Sequence, residues 1–285
     1  MIFAIQGGKH LEGRVNISGS KNAILPLISS SILVNGDVRF RRVPRLTDVT
    51  ALLDVMQSMG ARIEWTDAHE LLINTAQVDP AGLDRKKMKR FRGSILLLGP
   101  MVARFKKILV PEPGGCNIGN RPIDAHLSAL GSFGASVETD ERGELYVEAD
   151  RLVGSDVYGE FSVTATENAV MAAASAKGTT TLRLAAAEPH VQDLCRFLNA
   201  CGAKIRGIGT HDLTIRGMTS LRAPKTPWSV IPDMIEVGTF AVAAAATHGD
   251  LELSPVMPEH LHALRIALGR ACIRTEVDQK HFRLK

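Results

Sequence analysis

The stretch Leu53-Asp54-Val55-Met56-Gln57-Ser58-Met59-Gly60-Ala61-Arg62-Ile63 reads as the end of an apolar helix, a stop and the start of a strand. Gly60 suits the left-handed residue that closes a helix, and the alternation beyond it suits a strand. The same phrase returns as Leu130-Gly131-Ser132-Phe133-Gly134-Ala135-Ser136-Val137 and as Phe197-Leu198-Asn199-Ala200-Cys201-Gly202-Ala203-Lys204-Ile205. A weaker fourth copy is Ala267-Leu268-Gly269-Arg270-Ala271-Cys272-Ile273. Successive copies stand 74, 68 and 68 residues apart, counted at Gly60, Gly134, Gly202 and Arg270. A fixed period of this length is the signature of a repeated supersecondary unit.

Working outward, each copy is preceded by a helix rich in small residues: 22–33, 92–103, 167–176 and 236–247. Three of the four helices run into a glycine turn, at Gly36, Gly178 and Gly249, and a short strand follows. Pro44, Pro122, Pro189 and Pro258 then mark the loops that open the second helices. The expected unit is therefore helix–strand–helix–strand–strand, about 70 residues long, in an α/β fold. One unit cannot bury both faces of its sheet, so neighbouring units must pack together. The stretch 216–228, with Pro224 and Pro227, is the best candidate for a domain boundary.

The 285 residues carry a net charge of +4, with 45% hydrophobic and 22% charged residues. This composition is that of a folded protein and is too weakly basic, with 5% aromatic residues, to argue for nucleic acid. No run approaches the 18 or so apolar residues that a membrane span requires. The N-terminus lacks a basic segment ahead of an apolar stretch, so a cytoplasmic protein is expected. Four cysteines, Cys116, Cys195, Cys201 and Cys272, form no CxxC pair. Cys195 and Cys201 read as inert core thiols, and Cys272 as a core thiol on a strand. His260 and His262 match no metal-ligand spacing, so no metal is expected.

Three motifs carry candidate chemistry. Ser18-Gly19-Ser20-Lys21-Asn22 precedes an apolar helix, where backbone N–H groups and the helix dipole favour an anion and Lys21 adds a full charge. The spacing is not that of a Walker A loop, and an ordinary capped helix with a surface lysine remains an alternative. Pro111 to Pro122 is a glycine-rich loop holding Cys116 near Arg121, where a nearby cation lowers a thiol's pKa and fits it for acid, base or nucleophilic work. Arg92 opens a helix against its dipole, a placement that makes sense if the guanidinium clamps an anion. The basic run 85–90 just before it reads as a solvated face.

Together these residues resemble the enolpyruvyl transferase family, in particular its branch that acts on UDP-N-acetylglucosamine. The resemblance is carried by Gly19-Ser20-Lys21-Asn22, Arg92-Gly93-Ser94-Ile95, Pro113-Gly114-Gly115-Cys116, Ile118-Gly119 and Arg121-Pro122-Ile123-Asp124. It continues through Ser162-Val163-Thr164-Ala165-Thr166-Glu167-Asn168, Glu188-Pro189, Ile231-Pro232-Asp233 and Ile235-Glu236. The cysteine loop separates this branch from the shikimate-phosphate enzyme of the same fold, which lacks it. The resemblance implies two lobes, each of three units about a pseudo-threefold axis. Residues 20–228 would form a complete lobe, and 1–19 with 229–285 part of a second, one unit of three.

The resemblance also implies the chemistry: the sugar 3′-hydroxyl adds to C2 of phosphoenolpyruvate, then phosphate leaves, in peptidoglycan precursor synthesis. Lys21 and Cys116 would be catalytic, Cys116 as the acid of a mobile loop. Asn22, Arg92, Arg121, Pro122, Ile123, Asp124, Ala125, Ser162 and Val163 would bind the substrates, with no metal or organic cofactor. Two positions depart from the family pattern: Met234 stands where the family has arginine, and Glu160 where it has lysine. Four units are counted where the family has six. The family's general-base aspartate falls in the units not counted here. The chain alone is therefore expected to be inactive, or to be a UDP-sugar-binding module, or to be completed by a partner chain.

Overall fold

The computed structural model describes residues 2, 4, 6–111, 122–141 and 144–284. The chain enters through β1 (Glu12–Asn16). Then come α1 (Lys21–Ser30), a 3-10 turn, β2 (Val34–Asn35), β3 (Val38–Arg41), α2 (Thr47–Ser58), β4 (Arg62–Asp67) and β5 (Glu70–Asn74). The short α3 (Arg85–Met88) leads to a 3-10 segment, Arg92–Leu97, which runs directly into α4 (Leu98–Phe105). β6 (Lys107–Val110), α5 (Asp124–Ser132), β7 (Ser136–Thr139) and β8 (Leu145–Glu148) follow. Next are β9 (Asp156–Tyr158), α6 (Val163–Ala173), β10 (Thr179–Arg183), α7 (Pro189–Ala200), β11 (Lys204–Arg206), β12 (Asp212–Arg216), β13 (Leu221–Arg222) and β14 (Trp228–Ser229). The chain closes with α8 (Met234–Ala246), β15 (Asp250–Ser254), α9 (His262–Arg270), β16 (Thr275–Val277) and β17 (Phe282–Leu284).

The chain divides into two compact units, residues 21–230 and residues 1–20 with 231–285. In the larger unit the sheets are β14-β3-β5-β4, β6-β8-β7 and β9-β10-β12-β11, and in the smaller β1-β15-β17-β16. One strand order recurs in all four. The third strand of each set lies between the first two and is antiparallel to both, as β5 is to β3 and β4. In three sheets a further strand adds in parallel to the first: β14 on β3, β9 on β10, β1 on β15. A crossover helix joins the first two strands of each set, because antiparallel insertion of the third leaves no hairpin route between them.

The helix-ending pattern is explained by backbone conformation. Gly60, Gly134 and Gly202 each lie two residues beyond a helix, at φ of +96°, +92° and +104°. Cys272 holds the equivalent place beyond α9, at φ +60°. The expectation that Cys272 is a core thiol on a strand is therefore corrected: it lies in the turn and is exposed. The fourth copy of the repeated phrase aligns on Cys272, two residues later than its sequence suggested, because a non-glycine occupies the left-handed position. Cys195 and Cys201 are buried, and burial pushes both thiols up to about 12.

In the larger unit α1, α4 and α6 form the interior. All of α6 from Ala165 to Ala173 is buried, and so is α1 from Ala23 to Ser30. Ala, Ser and Gly at these positions let the helices approach closely while Ile24, Leu27, Ile28 and Met101 fill the space between. The smaller unit has its own core around Ile17, Ala241, Leu253 and Phe282. Among the described residues, no helix is long and apolar enough to cross a membrane.

Candidate functional site

The site is built from the N-terminal ends of helices in the larger unit. The turn before α6 places two consecutive non-glycine residues, Glu160 and Phe161, at φ +52° and +53°. Such conformations persist only where the surroundings enforce them. Here the Gly159 N–H donates to the Arg183 carbonyl at 2.8 Å and the Phe161 N–H to the Leu184 carbonyl at 3.1 Å, pinning the turn to the end of β10. Ser162 then adopts extended backbone, and its hydroxyl accepts from the Ala165 N–H at 3.4 Å, capping α6. Val163 is the first helical residue.

Alongside, Ile123 precedes α5, and Asp124 and Ala125 form its first turn, with Asp124 on the exposed side. His126, one step further, is buried between α5 and α6. Its Nδ1 accepts from the Asn168 amide at 3.0 Å, which leaves Nε2 to donate to the Thr164 hydroxyl at 3.0 Å. Burial, with the nearby charge of Arg92, holds the imidazole pKa down at about 4, so it is neutral at physiological pH. Arg92 itself opens the 3-10 segment ahead of α4 and is half-buried.

The structure thus gathers Arg92, the start of α5 and the start of α6 around His126. Backbone N–H groups at two helix starts beside a guanidinium suit an anionic ligand such as a diphosphate. Pro122, exposed, leads into this group. Lys21 opens α1, where its ammonium meets the Asp48 carboxylate on α2 at 3.1 Å, and Asn22 beside it is exposed. Cys116 and Arg121 lie outside the described residues. Glu160 and Met234, the two departures from the family pattern, are an exposed residue of the strained turn and the first residue of α8, capped by Asp233.

Residues 5–282 match the family model of EPSP synthase (3-phosphoshikimate 1-carboxyvinyltransferase). The chain belongs to the enolpyruvyl transferase family. It is 42% identical over 270 residues to UDP-N-acetylglucosamine 1-carboxyvinyltransferase 1 of Carboxydothermus hydrogenoformans, covering 94% of this chain and 63% of that protein. It is also 42% identical over 277 residues to the UDP-N-acetylglucosamine 1-carboxyvinyltransferase of Bradyrhizobium diazoefficiens, covering 97% and 63%. Among solved structures, the enolpyruvyl transferase NikO from Streptomyces tendae superposes with a TM-score of 0.86 at 25% identity, covering 98% of this chain and 67% of that one. The chain therefore spans about 63% of the length of these curated relatives.

Sequence reasoning missed His126, Asn168 and Asp48 as members of this arrangement. Asn168 had a visible signal: with Glu167 beside it, it is a large polar side chain inside a helix whose other residues are small or apolar. His126 had none, since one histidine three residues into a helix has no pattern of its own.

Proposed function

We propose that these residues form part of the active site of a UDP-N-acetylglucosamine 1-carboxyvinyltransferase. The reaction is transfer of the enolpyruvyl group of phosphoenolpyruvate to the sugar 3′-hydroxyl, in peptidoglycan precursor synthesis in the cytoplasm, serving cell wall biogenesis and so cell shape and division. The observation that carries the reading is the 42% identity, over 94% of the chain, to a protein of that name.

The hydroxyl oxygen adds to C2 of phosphoenolpyruvate as a proton is delivered to C3. A proton then leaves C3 and inorganic phosphate departs. Charge develops first at the enolpyruvyl carbon and then on the leaving phosphate, so cations and a placed acid are the useful groups. Lys21 stands against the phosphoenolpyruvate anion, with Asn22 beside it. Cys116 supplies the acid. Arg92, Arg121, Pro122, Ile123, Asp124, Ala125, Ser162 and Val163 hold the nucleotide-sugar, the helix starts taking its phosphates.

The resemblance assigns the general base to family units beyond the four counted here. The 285 residues alone are accordingly expected to bind the UDP-sugar without turning it over. The test is phosphate release from phosphoenolpyruvate plus UDP-N-acetylglucosamine by the purified chain and its Cys116→Ala variant. Steady-state turnover by the verified 285-residue chain would contradict the inactivity.

A second reading, completion by a partner chain, is favoured by α8. This helix is apolar almost all round, yet only Val237, Ala241 and Ala244 are buried. A groove of about 600 Å³, lined by Ile235, Val242, Leu261 and Leu264 among others, runs along it. A helix apolar on all faces belongs inside a larger core.

A further inference from the structure

The carboxamide of Asn168 is inserted into the backbone ladder of another helix. In a regular helix the Gly99 N–H would bond the Ile95 carbonyl four residues earlier. Instead, the Gly99 N–H donates to Asn168 Oδ1 at 2.7 Å, and Asn168 Nδ2 donates to the Ile95 carbonyl at 3.0 Å. The Ile95 carbonyl takes the Leu98 N–H as well, the tighter 3-10 pairing. The expected helix from Arg92 is therefore a 3-10 segment that becomes α-helical only at Leu98, where the amide bridges the ladder. A Cβ on Gly99 would lie 2.3 Å from the Asn168 carbonyl oxygen, so only glycine admits this approach.

The same amide reaches the two other helix starts. Its second N–H donates to His126 Nδ1 on α5 at 3.0 Å, and the Thr164 carbonyl in the first turn of α6, at 3.3 Å, shares the amide's two hydrogens as a longer third acceptor. Asn168 is fully buried. One side chain thus links the segment that begins with Arg92, the helix that begins at Asp124 and the helix that begins at Val163.

We propose that Asn168 is a positioning residue for the nucleotide-sugar site, fixing the Arg92 segment and the first turns of α5 and α6 relative to one another through the Gly99–Ile95 insertion and the His126 tautomer. This rests on the reading of those helix starts as the UDP-sugar site. Asn168 touches no ligand: it acts by holding the backbone N–H groups and Arg92 where an anion meets all of them. A buried amide with both ends used also specifies one arrangement, because each alternative packing leaves a donor or acceptor unpaired.

The test uses the 285-residue chain and Asn168→Leu, a near-isosteric change that removes both amide functions. Calorimetry with UDP-N-acetylglucosamine is paired with two site-specific readouts: hydrogen exchange at the Gly99 amide and the 15N shifts of the His126 ring. The variant is expected to lose Gly99 protection, to show a mixture of His126 tautomers, and to bind the UDP-sugar about tenfold or more weakly. Affinity within about twofold of wild type, with the Gly99 and His126 signals altered, overturns the proposal. If Asn168→Leu does not fold, Asn168→Asp replaces it. Its carboxylate still accepts from Gly99 but cannot donate to Ile95 or His126, so Gly99 protection is kept, the tautomer is released and affinity falls; unchanged affinity overturns the proposal. A wild-type chain with both signals as described and no UDP-sugar binding overturns the functional reading instead, and the ligand role of Asn168 with it.

Discussion

The ammonium of Lys21 and the carboxylate of Asp48 meet at 3.1 Å, joining the first residue of α1 to the first turn of α2. Both side chains are about two-fifths exposed, so the pair contributes little to stability, at most about 1 kcal/mol. In the proposed site its use is to aim a cation. Lys21→Met is therefore expected to leave thermal stability nearly unchanged and to weaken phosphoenolpyruvate binding about tenfold or more, read by calorimetry alongside a melting curve. A large drop in melting temperature with unaltered phosphoenolpyruvate affinity would reverse the assignment and make Lys21 structural.

His126 makes stability depend on acid. Folded His126 ionises near pH 4, against an ordinary value of 6.5, so between these limits the unfolded chain binds the extra proton and the folded chain does not. Stability from this group is full above about pH 6.5 and is lost as pH falls toward 4, by about 3 kcal/mol at most. Imidazole 15N shifts should report a neutral, single-tautomer ring at pH 6, and a cationic ring at that pH would refute the hydrogen-bond assignment.

Glu167 works in the opposite sense. Burial, reinforced by the nearby Glu188, raises its pKa well above 4.5, and Oε1 has no hydrogen-bond partner. The folded chain holds a proton that the unfolded chain releases, so stability from this group is present at low pH and falls as pH rises past the unfolded value. Glu167→Gln, which copies the protonated acid, is expected to raise the melting temperature at pH 7 to 8 and to leave it nearly unchanged at pH 4. Destabilisation at pH 8 would show that the site favours the carboxylate.

How much of this was legible in the sequence follows the physics of each feature. Gly60, Gly134 and Gly202 announced their helix ends because a left-handed position nearly demands glycine. The same rule hid the fourth end, where Cys272 tolerates φ +60° in an exposed turn. Helix starts were placed a few residues late at α6 and α8 because Ser162 and Asp233, which cap them, were read within motifs instead of as caps. The 3-10 start at Arg92 was invisible, since its cause is an amide 69 residues away in sequence bonded to Gly99. Lys21 and Arg92 were found as candidates because anion chemistry has a local pattern of cations, small residues and helix starts, whereas Ser162 came only with the family resemblance. The residues that arrange them, His126 and Asn168, act through long-range contacts and have no such pattern.

The outer face of α8 gives a fourth prediction. Ile235 and Val242 are each more than half exposed and line the apolar groove. Such a patch promotes self-association. An Ile235→Lys, Val242→Lys variant is expected to shift concentration-dependent light scattering toward the monomer and to reduce binding of a hydrophobic dye. Dye binding equal to that of the wild type would show that the patch lies elsewhere.

The central claim is that the starts of α5 and α6, with Arg92, receive a UDP-sugar. It is tested most directly by calorimetric titration of the 285-residue chain with UDP-N-acetylglucosamine and, separately, with shikimate 3-phosphate. The account predicts saturable binding of the UDP-sugar, weakened in Arg92→Ala, and none of the shikimate ester. Binding of shikimate 3-phosphate without binding of the UDP-sugar would contradict it.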